Sequence, residues 1–506
     1  MTAPLLPNPY REDLLLEAML ECAERFIGLG DELEDLVARV TQERPAAVSL
    51  VAPRGMGKSF MLRCLAHPEG GLRLFRRAVG RAFADEPERL LFVPLDLSGG
   101  LTGTASLSLL RQLYEELLVQ LGRLLKVDDV TLLPLERMPS GRVSSLGDLR
   151  ERAQRAIAAA REEADDDELR QRFTSELGAT MPGGLIELLR RIDAWGLRAV
   201  FLLDEFDTIA ARLSREEYDN LRAVLAVASM VIASTRALSE QVPAEVQTSP
   251  FFNLLQRLTI LSLRFLSPED ARRLVLEPPT WVAGMQFRFT EADADFILEL
   301  TGLHPDLIRE TCEYLYRTRY RSYRAGQDVL PEAERPYVRA LLQPLFADFF
   351  AGLWHELSEH DRRTLRLIAA GELADEPISP ELVARGYIVF EGGRQRLFAG
   401  LFRDFVLVQG ASPQAAQRGA PAAEVELPPL TELEQRLLDL LLERAGEVVR
   451  RDTIIAALYD DVVDPREARG RLDALVFRLR SKLEGEPLLI ESVRGQGYRL
   501  IRRAGP

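Results

Sequence analysis

Cysteine is scarce in this sequence. The 506 residues hold three, Cys22, Cys64 and Cys312, an odd and scattered set without a Cys-x-x-Cys pair, and no basic, apolar, small-residue leader opens the chain. A reduced, soluble, cytoplasmic protein is expected. Long hydrophobic runs are also lacking: no apolar stretch approaches the ~18–20 residues that cross a bilayer, so no membrane partner is expected. Lysine is nearly absent, with three (Lys58, Lys126, Lys482) against 61 arginines. Where arginine is so strongly the default cation, a retained lysine points to a place that needs a compact ammonium rather than a guanidinium fork. Hydrophobic residues at 47% and charged residues at 28% are ordinary globular values, which excludes collagenous and wholly disordered classes. The length excludes a single small module and predicts about three or four domains.

The formal charge is −14, from 64 basic and 78 acidic residues, yet residues 430–506 hold 14 of each. The first 429 residues therefore carry the whole deficit and should repel nucleic acid at long range. Any DNA contact has to be made by a local patch.

Along the chain, apolar residues at helical spacing run through the first 40 residues. Five apolar strands follow, in AAVSLV, LLFVPLDLS, RAVFLLDEFD, MVIASTRAL and LTILSLRFL, alternating with helical stretches. That alternation predicts a three-layer α/β domain with a mostly parallel sheet over residues 1–267. Residues 127–183 are polar, contain the acidic run EEADDDE, and read as an inserted helical arm. Residues 268–335 are purely helical, starting at Ser267-Pro268-Glu269. Residues 336–409 give helices and then two short strand-like pieces around Gly392 and Gly393, the outline of a winged helix. An Ala-, Pro- and Gln-rich stretch, 410–428, reads as a flexible linker, and 429–506 as a compact last domain.

Two motifs carry chemistry in the first domain. APRGMGKS, Ala52–Ser59, follows a strand and opens a helix, the context a phosphate-binding loop requires. The backbone of Arg54, Gly55, Met56 and Gly57, with Lys58, Ser59 and Phe60 opening the helix, would cradle phosphates. Lys58 would reach the β/γ-phosphates and the Ser59 hydroxyl would sit on Mg²⁺. Ala52 stands where the first glycine is expected. The second motif, Val200–Glu205 (VFLLDE), is a buried strand ending in two acids at its carboxyl edge, where open parallel sheets bind ligands. Asp204 would join the metal shell and Glu205 would orient and deprotonate water.

With these motifs, residues 20–410 resemble the P-loop ATPases of the AAA+ and STAND groups, most closely the archaeal-type ATPase branch. The resemblance implies ATP and Mg²⁺ as cofactors and a lid over 268–335. It makes Thr235 similar to the sensor-1 polar residue and Arg236 to the strand-end arginine of STAND proteins. Phe26–Leu29 (FIGL) looks like the segment beside the adenine, with Leu29 in place of an arginine. Thr301–Pro305 (TGLHP) is similar to a lid segment that puts His304 near the phosphates, although a histidine beside proline also serves as a cap or core residue. Arg257 lies where AAA+ proteins carry an arginine finger acting on a neighbouring subunit; a surface ion pair is the other reading. A finger would require a homo-oligomer, a dimer or higher.

In the last domain, the helix near 465–483 places Leu472, Val476, Leu479 and Leu483 on one stripe, its core face. The opposite face holds Gly470, Arg471, Ala474, Phe477, Arg478 and Ser481, with Lys482 at its margin. Arg480 adds to the basic excess of this helix, which suits a DNA groove. Arg494 and Arg499 flank a Gly-hinged hairpin tip. Over 429–502 the sequence resembles the winged-helix effector domain of OmpR/PhoB response regulators, carried by Asp473, RLRSKL (478–483) and RGQGYRL (494–500). The resemblance implies double-stranded DNA as partner, contacted by Arg471, Phe477, Arg478, Arg480, Lys482, Arg494 and Arg499; some winged helices contact proteins instead. The expected whole is an α/β P-loop ATPase with a helical lid followed by two winged-helix domains, acting as an ATP-dependent DNA-binding regulator. A conflict-system sensor answering a protein trigger or effector, and an origin- or transposon-type DNA remodeller, are the other readings.

Overall fold

The computed structural model describes residues 6–502 apart from 22, 69, 101–107, 179–180, 253–259, 321–322, 324–327, 373–376, 392, 411–431, 444–447, 459–471, 473–474, 477–478, 481–487 and 494–496. Two compact units are present, the first over residues 1–343 and 349–407, the second over 344–348 and 408–506. Among the described residues no helix is long and apolar enough to cross a membrane.

The first unit is built on strands β1 (Ala47–Val51), β2 (Leu90–Asp96), β3 (Arg198–Asp204), β4 (Ser229–Ser234) and β5 (Ile260–Ser262). All pairings are parallel, in the order β2-β3-β4-β1-β5. Every residue of β4 and the first six of β3 are buried, so both sheet faces are covered and the three-layer expectation holds. The helices Gly30–Val40 and Lys58–Ala66 pack against β1 and against β2 and β3. On the face made by Leu91, Val93, Phe201, Leu203, Met230 and Ile232, one hydrophobic cluster takes in helices Ser108–Leu125, Gly183–Ala194 and Arg215–Leu225.

Residues 127–183 join that same cluster. Helix Leu146–Arg161 buries Leu149, Ala153, Ile157 and Ala160, and helix Asp166–Leu177 buries Leu169, Phe173 and Leu177. The segment is helical as expected, but it packs into the core rather than standing off as an arm. Its acidic run forms the turn between the two helices: Asp165 caps the second, accepting from the Glu168 N–H at 2.8 Å. Asp166, Asp167 and Glu168 lie in the first turn, where the helix dipole favours negative charge.

Strand β2 is an edge of the sheet. Just past its end the Leu97 N–H donates to the Asp204 carbonyl of β3. Strand alternation then turns the odd-numbered residues' amides toward β3 and the even-numbered ones, Pro94 among them, to the free edge. Proline is tolerated there because it has no donor to lose from the ladder.

Helices Pro268–Leu276, Glu291–Thr301 and Pro305–Arg319 follow the sheet. The first starts as the sequence indicates, the Ser267 hydroxyl accepting from the Asp270 N–H at 3.0 Å. The N-terminal segment lies on them: the Tyr10 hydroxyl donates to the Val275 carbonyl, Asn8 Nδ2 to the Glu313 carbonyl and the Tyr316 hydroxyl to the Leu6 carbonyl. Residues 336–409 contain helices Glu359–Ala370, Pro380–Ala384 and Gly400–Gly410, with an antiparallel hairpin of β6 (Ile388–Glu391) and β7 (Arg394–Leu397).

In the second unit, helices Glu432–Glu443 and Arg451–Leu458 accompany an antiparallel sheet of β8 (Val449–Arg450), β9 (Leu488–Val493) and β10 (Gly497–Arg502), ordered β8-β10-β9. Leu472, Val476 and Leu479 are buried there as the stripe predicts, together with Leu475; Leu483 lies outside the described residues. The linker expected at 410–428 also falls outside them, save its first residue, which ends the helix Gly400–Gly410.

Candidate nucleotide site and C-terminal DNA-reading domain

Because β4 lies between β1 and β3, the carboxyl ends of three neighbouring strands meet: the loop after β1, Thr235 after β4 and Asp204 at the end of β3. The loop after β1 can turn tightly because Gly55 (φ 71°) and Gly57 (φ 90°) adopt left-handed backbone. Both are closely walled. A side chain on Gly57 would stand 2.7 Å from Leu29 Cδ1, and one on Gly55 would stand 2.6 Å from His304 Cε1. Lys58, only 5% exposed, starts the helix; its Nζ donates to the carbonyls of Ala52 (2.7 Å) and Pro53 (3.0 Å). Burial lowers its pKa, while Glu205, Asp207 and Asp204 pull the other way. The lone lysine of the motif thus faces the acids at the end of β3.

Among those acids, Asp204 Oδ1 accepts the Glu205 N–H at 3.0 Å. Glu205 has a left-handed backbone, φ 52°, a conformation a non-glycine residue holds only under local constraint. Burial first, and Asp204 and Asp207 beside it, raise the Glu205 pKa against the opposing pull of Lys58 and Arg54. Asp207, which the sequence reading left aside, fixes the sensor-like strand end. Its carboxylate accepts from Thr235 N (2.8 and 3.0 Å) and Thr235 Oγ1 (2.9 Å). The signal was a third acid in the run DEFD, on the turn after Asp204. The Arg236 carbonyl accepts from Ser234 Oγ and Gln241 Nε2, while its guanidinium Nε is buried without an acceptor among the described residues. An unused buried donor at this edge fits an anionic ligand.

His304 is 2% exposed and caps the helix Pro305–Arg319. Its Nδ1 accepts the Leu307 N–H (3.3 Å), which leaves the proton on Nε2 to donate to the Arg54 carbonyl (3.1 Å). Phe265, Phe349 and Phe398 surround the ring. Burial pushes its pKa down to about 4. Both ring nitrogens are therefore committed, and the residue holds the loop backbone rather than presenting a donor to phosphates. Phe26 packs on Phe60 and Phe75. A cavity of about 330 Å³ opens beside Phe26, Leu29, Phe265 and Leu266, and its wall is largely polar, with Asp31, Glu32, Arg264, Ser267 and Asp270 contributing. Arg257 lies outside the described residues. No cluster of His, Cys, Asp and Glu that could hold a metal unaided exists among the described residues. Ser59, in the first turn of its helix, and Asp204, at the end of β3, would be the oxygen ligands of a magnesium ion whose other ligands are phosphates.

In the C-terminal unit, Arg480 Nε donates to the Ile490 carbonyl at 2.8 Å and its guanidinium stands 5.9 Å from the Tyr498 ring centre. Arg451 lies 5.3 Å from the same ring and Arg499 pairs with Glu491 at 2.7 Å. The structure thus ties Arg480 and Arg499 into the domain's own packing. Arg471, Phe477, Arg478, Lys482 and Arg494 lie outside the described residues.

The model of the family described as "Transcriptional regulatory protein, C terminal" matches residues 426–500. The chain is 35% identical over 150 residues to the two-component response regulator PhoP of Pseudomonas aeruginosa, covering 28% of this chain and 66% of that protein. It is 42% identical over 77 residues to the transcriptional activator protein IrlR of Burkholderia pseudomallei, covering 15% and 33%. It thus spans less than two thirds of the length of either. To the transcriptional regulatory protein PcoR of Escherichia coli it is 30% identical over 192 residues, covering 34% of this chain and 82% of PcoR. Among solved structures, the Walker-type ATPase of Pyrococcus abyssi is similar with a TM-score of 0.41 and 12% identity, over 76% of this chain and 97% of that one. The ORC2 protein of Aeropyrum pernix in its ADP form gives 0.37 and 12%, over 81% and 97%. By the match of its last domain and its coverage of PcoR, this chain belongs to the family of transcriptional regulatory proteins.

Proposed function

We propose that the protein is an ATP-dependent transcriptional regulator: ATP with Mg²⁺ binds at the β1 loop, and the bound nucleotide controls assembly and engagement of double-stranded DNA by residues 429–506. The observation that carries the first half is the meeting of Lys58, Glu205 and the Asp207-held Thr235 at adjacent strand ends. The loop N–H groups and Lys58 bind phosphates, Ser59 and Asp204 hold the metal, and Arg236 offers its unused donor. Magnesium, when bound, neutralises phosphate charge. Glu205, its pKa raised by burial, orients water and takes its proton. The family match at 426–500 supports the second half. Linking two weak readers through the nucleotide-governed body raises avidity by ~10²–10⁴, which suits a reader joined to an acidic segment.

The test uses the full chain. Lys58→Ala abolishes binding of a fluorescent ATP analogue and the ATP dependence of DNA binding. Arg478→Ala keeps nucleotide binding and costs ~1–3 kcal/mol of specific DNA affinity. ATP binding that survives Lys58→Ala, or DNA affinity indifferent to nucleotide in the unsubstituted protein, refutes the reading.

A further inference from the structure

The phosphate loop has an anionic neighbour. The helix Pro305–Arg319 begins against Gly55, and a side chain built on Gly55 would meet Asp306 Cβ at 3.0 Å and Asp306 Oδ2 at 3.2 Å, alongside His304. The Asp306 carboxylate therefore touches the backbone that the proposed function assigns to phosphates. It meets Gly55 with Oδ2, whereas Arg309 holds its Oδ1. Arg309 bonds Asp306 at 2.7 and 3.2 Å but also Glu310 at 3.2 Å and Glu313 at 3.0 Å. One guanidinium thus serves three carboxylates. On the loop's own side the cations are Lys58, buried, and Arg54, exposed.

We propose that Asp306 is an electrostatic gate on this site, a lid carboxylate that penalises the more highly charged nucleotide and so sets the balance between ATP and ADP. The inference rests on the nucleotide reading above. A second charge roughly 6 Å away, at an effective dielectric of about 40, changes an affinity about tenfold. ATP carries one negative charge more than ADP, so it bears the larger penalty. Helix geometry keeps the gate in place: His304 caps the helix and bonds the loop carbonyl of Arg54, which fixes the distance between Asp306 and Gly55. The carboxylate is also favoured where it stands, in the first turn of the helix.

The experiment is calorimetric titration of the full chain with Mg–ATP and Mg–ADP, for the unsubstituted protein, Asp306→Asn and Glu313→Gln. Asn is isosteric, and thermal unfolding without nucleotide checks that the variant folds; Asp306→Ser is the substitute if it does not. Asp306→Asn tightens Mg–ATP about tenfold and Mg–ADP less, so the ATP-to-ADP affinity ratio rises at least threefold at low salt. The rise shrinks when the salt is increased to shorten the screening length. Glu313→Gln, which removes the same charge from the Arg309 group further along the helix, gives a smaller change in that ratio. An unchanged or lower ratio in the Asp306 variant, or an equal rise in Glu313→Gln, overturns the gate while leaving the nucleotide reading standing. Absence of heat with either nucleotide in all variants overturns both.

Discussion

Acidifying the protein should loosen its first unit through one residue, His304. The ring is enclosed by Phe265, Phe349 and Phe398, uses Nδ1 as an acceptor and Nε2–H as a donor, and its pKa is pushed down to about 4 from an ordinary 6.5. Protonation would turn the acceptor into a donor facing another N–H and leave a charge among hydrocarbon, so the folded unit refuses the proton that the unfolded chain accepts. Stability from this source is intact above pH 6.5, falls as pH drops through the interval, and is fully lost near pH 4. The difference between the two pKa values amounts to about 3 kcal/mol. All three tryptophans, Trp195, Trp281 and Trp354, lie in the first unit, so urea unfolding followed by their fluorescence reports on it alone. His304→Asn keeps a good helix cap and cannot titrate. Its curve of stability against pH should be flatter than the parent's between 6.5 and 4 by about 3 kcal/mol. Parallel curves for the two proteins would refute the buried, neutral histidine.

Asp207→Ala leaves the Thr235 N–H without its carboxylate partner. It should cost ~1–3 kcal/mol of stability and slow ATP turnover; equal turnover in a phosphate-release assay would count against Thr235 as a site residue. In the C-terminal unit, Arg480→Ala removes the bond to the Ile490 carbonyl and the stack on Tyr498. It should weaken hydrogen-exchange protection of β9 and β10 by ~1–3 kcal/mol. Arg480→Lys should not restore that protection, because an ammonium cannot reproduce a planar stack with a lateral donor. DNA affinity lost with protection intact would make Arg480 a groove contact instead.

Much of this was legible before any coordinates. Four of the five strands of the parallel sheet lie within the apolar segment expected to hold them and β4 starts one residue before its own, at Ser229, because buried strands of a covered sheet read as continuous hydrophobic runs. The loop motif was readable because two glycines and one rare lysine have a fixed order along the chain. Residues 127–183 misled because their stripe, Leu149, Ala153, Ile157 and Ala160, is narrow and set among charged residues, so composition suggested exposure while periodicity carried the packing. The pairing of Asp207 was not legible: its partner Thr235 is 28 residues away, and only the adjacency of β3 and β4 brings the two together. The same holds for Asp306, which meets the loop only because the helix Pro305–Arg319 starts against Gly55. For His304, the resemblance of TGLHP implied the neighbourhood of the loop, but which atoms it addresses required the ring's orientation.

The proline on the outer rim of β2 has a consequence beyond local geometry. A sheet that ends on an edge strand offers any passing chain a template for further pairing. Pro94 deletes one rung from that template and projects its ring where an incoming backbone would lie. Uncontrolled strand addition through this rim is thereby discouraged.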